Sequence, residues 1–333
     1  MIYKEHETAF DDGVFREPFL KFIAYKQSLG FKYGRNIRCL LKNLNTKLNV
    51  YKLDKPVLLR ETVEALACRR AHESPATQNK RICLLRHFAM FLQEIGYEAY
   101  IYPEYYKTIH HEYFAPHIFT ERQIASIIKI SDSLPFMARS PRRHIIWPAI
   151  VRALYGCGLR LSEALSLKVK NINLDSGILH IEKSKNWTSR FVPMSPSLKS
   201  YMINYMSKIN FEPGFDTYLF PAPDGGRYAI NTAYTQIKKI YEESGIPRLS
   251  NGRLPRIHDL RHTYCCHALK QMQKNGFDLY YSLPILSAYL GHQGIRDTER
   301  YLRLPIFQHS AVIDAEAAIL GDIIPEVIDY EKT

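Results

Sequence analysis

Gly177-Ile-Leu-His-Ile-Glu182 and Arg190-Phe-Val-Pro193, joined by the polar run Lys183-Ser-Lys-Asn-Trp-Thr-Ser189, carry the one strong strand signal in 333 residues. Two short β-favouring runs separated by a polar stretch predict an antiparallel hairpin. Almost everything around it has helical spacing, so the expected fold is mostly α (α+β), with a small antiparallel β-sheet set into a mainly helical domain. Immediately upstream, a helix is expected over Arg143 to Tyr155, stopping at Gly156-Cys-Gly158. Another begins near Leu161 and carries Ser162 to Val169. Further back, Phe119-Thr-Glu-Arg-Gln123 opens this domain, with Thr120 as N-cap and Gln123 completing a capping box. Beyond Ser195 the pattern is again mostly helical.

The amino-terminal part repeats apolar residues at three- and four-residue intervals, as in Phe19, Phe22, Ile23 and Leu40, Leu41, Leu44. Breaks at Gly30, Pro56 and Glu73-Ser-Pro-Ala76 divide it into about four helices, the last running from Gln78 to Ile95 and ended by Gly96. On that last helix Lys80, Arg81 and Arg86 stand opposite Ile82, Leu85, Phe88 and Phe91. Such a basic face suits DNA contact or simple solvation. Residues 102–118 hold two prolines and several Tyr and Phe without an apolar period, which reads as a linker. The expected organisation is a helical domain over 1–105, a linker over 106–118 and a second domain over 119–333.

The chain carries 45 Lys and Arg against 33 Asp and Glu, a net charge of +12 with His neutral, which excludes an acidic surface. Between Lys21 and Met90 fifteen Lys and Arg face four Asp and Glu, whereas the final stretch holds Asp314, Glu316, Asp322, Glu326, Asp329 and Glu331. A polyanionic partner on one face follows from that asymmetry. No apolar run approaches the roughly 18 residues of a membrane span, and the first residues lack the apolar stretch of a signal peptide, so a cytoplasmic protein without a membrane partner is expected. Cys39, Cys68, Cys83, Cys157, Cys265 and Cys266 show no C-x-x-C spacing; they read as reduced, mostly buried thiols.

Four segments of the second domain can present cations and imidazoles to a phosphate. In Gly158-Leu-Arg160-Leu-Ser-Glu163 an arginine follows a glycine break at a helix start, with a carboxylate one turn on to orient it. The hairpin turn offers Lys183 and Lys185. In His258-Asp-Leu-Arg261-His262-Thr263 the first His and the Arg lie three apart on one helical face. Last, Leu290-Gly-His292 is followed nine residues later by Tyr301. Each alone has an ordinary structural explanation: a helix ion pair, a solvated turn, a core histidine, one tyrosine among 23.

Together and in this order, these segments closely resemble the tyrosine recombinase (phage integrase) family, over about residues 119 to 305. Residues 15 to 105 resemble more weakly the helical core-binding domain that precedes the catalytic domain in that family. The resemblance implies Arg160 and Arg261 as phosphate clamps, His258 and His292 as flanking imidazoles and Tyr301 as nucleophile. It further implies a lysine eight residues before the proline that ends the second strand, which is Lys185, with Lys183 as runner-up. The implied activity is site-specific cutting and rejoining of double-stranded DNA through a 3′-phosphotyrosyl intermediate. No cofactor is implied, and no D-x-D or E-x-x-H cluster and no G-x-x-x-x-G-K-[ST] loop suggests a metal or nucleotide.

Two other readings use the same residues: a type IB topoisomerase-like enzyme, and a recombinase-like DNA-binding protein without catalysis. Within the family, the segments around Phe88, Ser184 and Leu283 look more like recombinases of transposons and other mobile elements than like chromosome-dimer resolving enzymes. Only about fourteen residues precede Phe15, so an arm-binding module is not expected. Relatives pass a carboxy-terminal helix between subunits, which makes a homo-tetramer on two DNA sites the expected assembly. The apolar residues Ala311, Val312, Ala315, Ala318 and Ile319 suit that exchange or packing on their own domain.

Overall fold

A computed structural model describes residues 10–31, 33–103, 116–182, 189–209, 216–292, 294 and 298. The chain divides into two compact units, Met1–Tyr113 and Phe114–Thr333, each with its own core. Residues 104–115, which include most of the linker expected over 106–118, lie outside the described residues.

The first unit contains α1 (Arg16–Ser28), α2 (Arg35–Asn49), α3 (Arg60–Ala67) and α4 (Pro75–Glu94). Its core is aromatic. Phe19 stacks on Phe88 with ring centroids 4.1 Å apart, and Phe22 meets Phe91 at 5.4 Å. Burying each such ring stabilises the fold by about 1.5–3 kcal/mol, which is what holds α1 against α4. The last helix starts three residues earlier than its apolar period suggested. Ser74 Oγ accepts the Thr77 N–H at 3.2 Å, and Pro75 occupies the first turn, where a missing N–H costs nothing.

The basic face expected on α4 is not formed as read. Arg81 keeps only 3% of its side chain exposed: Nε and Nη2 donate to Glu73 at 3.1 and 2.7 Å, and Nη2 also to the Cys68 carbonyl at 3.0 Å. A guanidinium is tolerated inside only when paired, and Glu73, held down to about pKa 2 by the Arg81 hydrogen bond, supplies the pair. Arg86 donates to the Tyr102 carbonyl, so of the three only Lys80 stands exposed.

The second unit is built on α6 (Arg143–Gly156), whose Ile146, Trp147, Ile150, Val151 and Leu154 are all buried. A helix apolar on every side belongs in the middle, and α5 (Glu121–Asp132), α8 (Pro196–Ile209) and α10 (His258–Lys274) pack on it. The capping box opens α5 as expected, with Gln123 N–H to Thr120 Oγ1 at 3.2 Å and Thr120 N–H to Gln123 Oε1 at 2.9 Å. Between α7 (Leu161–Ala164) and α8 lie β1 (Ile172–Asn173), β2 (Ile178–Ile181) and β3 (Arg190–Pro193), an antiparallel sheet in the order β1-β2-β3. The expected hairpin is β2 and β3, with Leu179 opposite Val192 and Ile181 opposite Arg190. α9 (Ile230–Glu243) and α11 (Leu279–Leu290) complete the unit, α11 packing on α10 through Cys265, Leu269, Leu286 and Leu290.

Two expectations are corrected here. The helix expected from near Leu161 to Val169 ends at Ala164, because the chain beyond it bonds to a distant segment: Val169 N–H to the Thr217 carbonyl and Leu219 N–H to the Leu167 carbonyl, both at 2.8 Å. The thiols are buried only in the second unit; Cys39, Cys68 and Cys83 are exposed on the first. No described helix is long and apolar enough to cross a membrane.

Candidate active site

The site begins where α6 stops. Gly158 turns the chain with φ +57°, and a Cβ there would lie 2.5 Å from the Tyr264 ring, so both conformation and space require glycine. That turn aims the Gly158 carbonyl at α10, where it accepts from Arg261 Nη1 at 2.8 Å. Arg261 Nη2 donates to the Leu290 carbonyl at 2.7 Å, which ties the last turn of α11 to the same point. The guanidinium is 1% exposed, and its Nε has no partner among the described residues. Burial first, then the Arg160 charge, lowers its pKa to about 10, which leaves it cationic at neutral pH.

Arg160 caps α7 and folds back onto Glu163. Its backbone N–H donates to Oε2 at 2.9 Å and its Nη1 to Oε1 at 2.8 Å. Glu163 also receives both terminal nitrogens of Arg190, at 3.1 and 2.8 Å, and Arg261 Nη1 stands 3.9 Å away. Burial would raise the Glu163 pKa, but hydrogen bonds and charge from Arg190, with further hydrogen bonds from Arg160, outweigh it and hold it at about 2. One carboxylate thus hydrogen-bonds two guanidiniums and neighbours a third, a local charge of +2. Arg160, at 23% exposed against 8% for Arg190 and 1% for Arg261, is the most open of them.

His258 sits at the first residue of α10, its ring edge-on to His262 with centroids 4.7 Å apart. Although the side chain reaches solvent, crowding by the protein and then the positive charges of Arg261, Arg160 and Arg256 lower its pKa to about 4. It is neutral at pH 7. His292 follows Gly291, whose left-handed φ of 67° ends α11; the His292 N–H turns back to the Ser287 carbonyl at 3.1 Å. Its Nδ1 lies 2.7 Å from Thr298 Oγ1.

Of the residues singled out from sequence, Arg160, His258 and Arg261 are gathered around Glu163, and His292 follows directly on the α11 turn that Arg261 holds. Lys185, its alternative Lys183, and Tyr301 lie outside the described residues. Arg190 was not anticipated. Its signal was available: strand alternation puts it on the same side as buried Val192, and an inward arginine demands an acidic partner. Among the described residues no group of three or more His, Cys, Asp or Glu is placed to hold a metal.

Residues 117–305 match the phage integrase family. A putative integrase/recombinase of Sinorhizobium fredii is 25% identical over 294 residues, spanning 87% of this chain and 93% of the relative. The tyrosine recombinase XerA of Pyrococcus furiosus is 26% identical over 192 residues, 57% of this chain and 58% of the relative. Among solved structures, the Tn1549 transposon integrase in complex with transposon right end DNA is similar in fold, with a TM-score of 0.59 at 18% identity over 90% of this chain and 98% of that one. With the family match covering more than half of the sequence, the chain belongs to the phage integrase family and is a tyrosine recombinase.

Proposed function

We propose that this recombinase cuts and rejoins double-stranded DNA at specific sites, with Tyr301 as nucleophile, Arg160 and Arg261 at the phosphate, His258 and His292 beside it and Lys185 as general acid. The observation that carries this reading is the cluster of Arg160, Arg261 and His258 around one buried carboxylate, a preorganised cationic site of the kind phosphoryl transfer needs. DNA as the substrate is supported by the DNA in the similar Tn1549 complex and by the net charge of +12. That likeness also supports a mobile element as the source of the DNA, and a cytoplasmic site of action goes with such a substrate.

In this mechanism the Tyr301 oxygen forms a bond to the scissile phosphorus while the bond to the 5′ oxygen breaks. The two arginines offset negative charge growing on the non-bridging oxygens; Arg261 spends two of its five N–H donors on carbonyls and keeps its charge at the site. His258, neutral in the free protein, is an available acceptor for the phenol proton, and the incoming phosphate anion raises its basicity. The departing 5′ oxygen takes a proton from the Lys185 ammonium. The phosphotyrosyl ester keeps the energy of the diester, so rejoining is the same step reversed. Assembly as a tetramer on two sites is part of this proposal.

The test separates nucleophile from acid. Tyr301→Phe should retain site binding and form no covalent protein–DNA adduct, whereas Phe variants of Tyr264, Tyr281 and Tyr289 should still form it. Lys185→Ala should slow cleavage by about 10²- to 10⁴-fold and recover on a substrate with sulfur at the 5′ bridging position, which leaves without protonation. Adduct persisting in Tyr301→Phe would overturn the nucleophile assignment, and sulfur rescue of Lys183→Ala alone would move the acid by two residues.

A further inference from the structure

Arg190 is a charged residue that strand alternation points inward, and every donor group of its fork is committed. Nη1 and Nη2 grip the two oxygens of Glu163, and Nε donates to the Tyr289 carbonyl at 2.9 Å. It also fills the space over Gly291: a Cβ at that glycine would lie 3.0 Å from Arg190 Cδ and 3.1 Å from Nη1. One side chain therefore spans the α7 start that bears Arg160, the last ladder pair of the hairpin with Ile181, and the α11 turn that leads into His292.

The consequence is a division of charge. Glu163 is the acceptor for Arg160 and Arg190 at hydrogen-bond distance and sits 3.9 Å from Arg261. Were Arg190 absent, the full carboxylate charge would fall on Arg160, whose Nη1 already touches it, and a guanidinium held by a carboxylate is less available to a phosphate. With Arg190 occupying both oxygens, Glu163 fixes the direction of Arg160 without neutralising it.

The geometry points to Arg190 as a positioning residue for the recombination reaction: by taking up the charge of Glu163 and bracing the α11 turn, it leaves Arg160 free for the scissile phosphate. This rests on the function proposed above. It predicts a defect that depends on phosphate charge, which loss of packing alone would not produce.

The test uses the full chain. A pool of random-sequence duplexes is incubated with the wild-type protein, covalent adducts are captured, and the cleaved site is mapped and resynthesised in two forms. One has the ordinary phosphodiester; the other carries a methyl group in place of one non-bridging oxygen, which removes the charge the arginines answer. On the ordinary diester at saturating protein, Arg190→Gln should slow adduct formation at least about tenfold with site binding retained. On the neutral ester the same variant should lie within about twofold of wild type, since the charge that Arg160 meets is gone. Adding Glu163→Gln to Arg190→Gln should restore part of the rate on the ordinary diester, because no carboxylate remains to draw Arg160 away. Equal defects on both substrates, or a wild-type rate for Arg190→Gln, would overturn the inference. Should Arg190→Gln fail to fold by thermal melting, Arg190→Lys, which keeps the charge but cannot span Glu163 and the carbonyl together, is read on the same two substrates with an intermediate defect confined to the ordinary diester. A wild-type protein that forms no adduct with any duplex sinks the recombinase mechanism itself, a result distinct from failure at Arg190.

Discussion

Glu163 is the residue on which the site turns, because a single buried carboxylate hydrogen-bonds Arg160 and Arg190 and stands 3.9 Å from Arg261. Its native pKa of about 2 lies below the ordinary value of 4.5, so between these values the unfolded chain binds more protons than the folded one. The stability it contributes is complete above about pH 4.5 and disappears as the pH falls toward 2. His258 acts in the same sense over a higher window: with a native pKa of about 4 against 6.5, it costs stability as the pH falls from 6.5 to 4, weakly because the ring reaches solvent. Urea midpoints measured from pH 7 to pH 2 should therefore fall in two stages. Glu163→Gln should be less stable at pH 7, since three guanidiniums lose their counter-charge, and should show a flatter profile below pH 4.5. An unchanged lower stage in that variant would mean another carboxylate controls acid unfolding.

At the scale of elements, the buried Arg81 and Glu73 pair pins the turn between α3 and α4, and Arg69 and Arg70 add bonds to Glu73 through its carbonyl and carboxylate. Glu73→Gln leaves Arg81 charged and unpaired at 3% exposure, which should destabilise the first unit by about 3 kcal/mol, read as a shifted denaturant midpoint with an unchanged slope. Arg81→Met, which removes the charge and keeps the stem, should cost less. The same elements show what the sequence could and could not disclose. The Thr120 capping box, the Ser74-Pro75 helix start and the β2–β3 pairing are local, within a few residues of one another, so their chemistry is written where it acts. Arg81 read as part of an exposed basic face, for DNA or for solvent, because its partner lies eight residues back across a turn, and α7 read as too long because Leu167 bonds to Leu219, 52 residues away. Arg190 depended on Glu163 and Tyr289, 27 and 99 residues distant. Arg160, His258, Arg261 and His292 stood out in the sequence only through the order of their motifs, while Glu163 as the common neighbour of Arg160, Arg261 and His258 became visible once the folded chain brought those three together.

At the scale of the whole molecule, the proposed tetramer on two DNA sites would bring together four copies of Tyr301, where a monomer holds one. The tetramer proposed above would draw on the last 28 residues, outside those described, whose sequence holds Ala311, Val312, Ala315, Ala318 and Ile319, then Ile323, Ile324, Val327 and Ile328 beyond Gly321. So many apolar residues are costly to leave in water, and two proposals would cover them: packing on their own domain or on a neighbouring copy. A head-to-tail transfer that closes into a ring would give the tetramer. Deleting residues 306–333 separates the two cases. If the tail passes between copies, the truncated protein should bind a single site with near wild-type affinity and melt at the same temperature, yet form no two-site complex and no recombinant product on native gels. Packing on its own domain would instead lower the melting temperature and weaken single-site binding together, and two-site complexes that survive the deletion would rule out exchange through this segment.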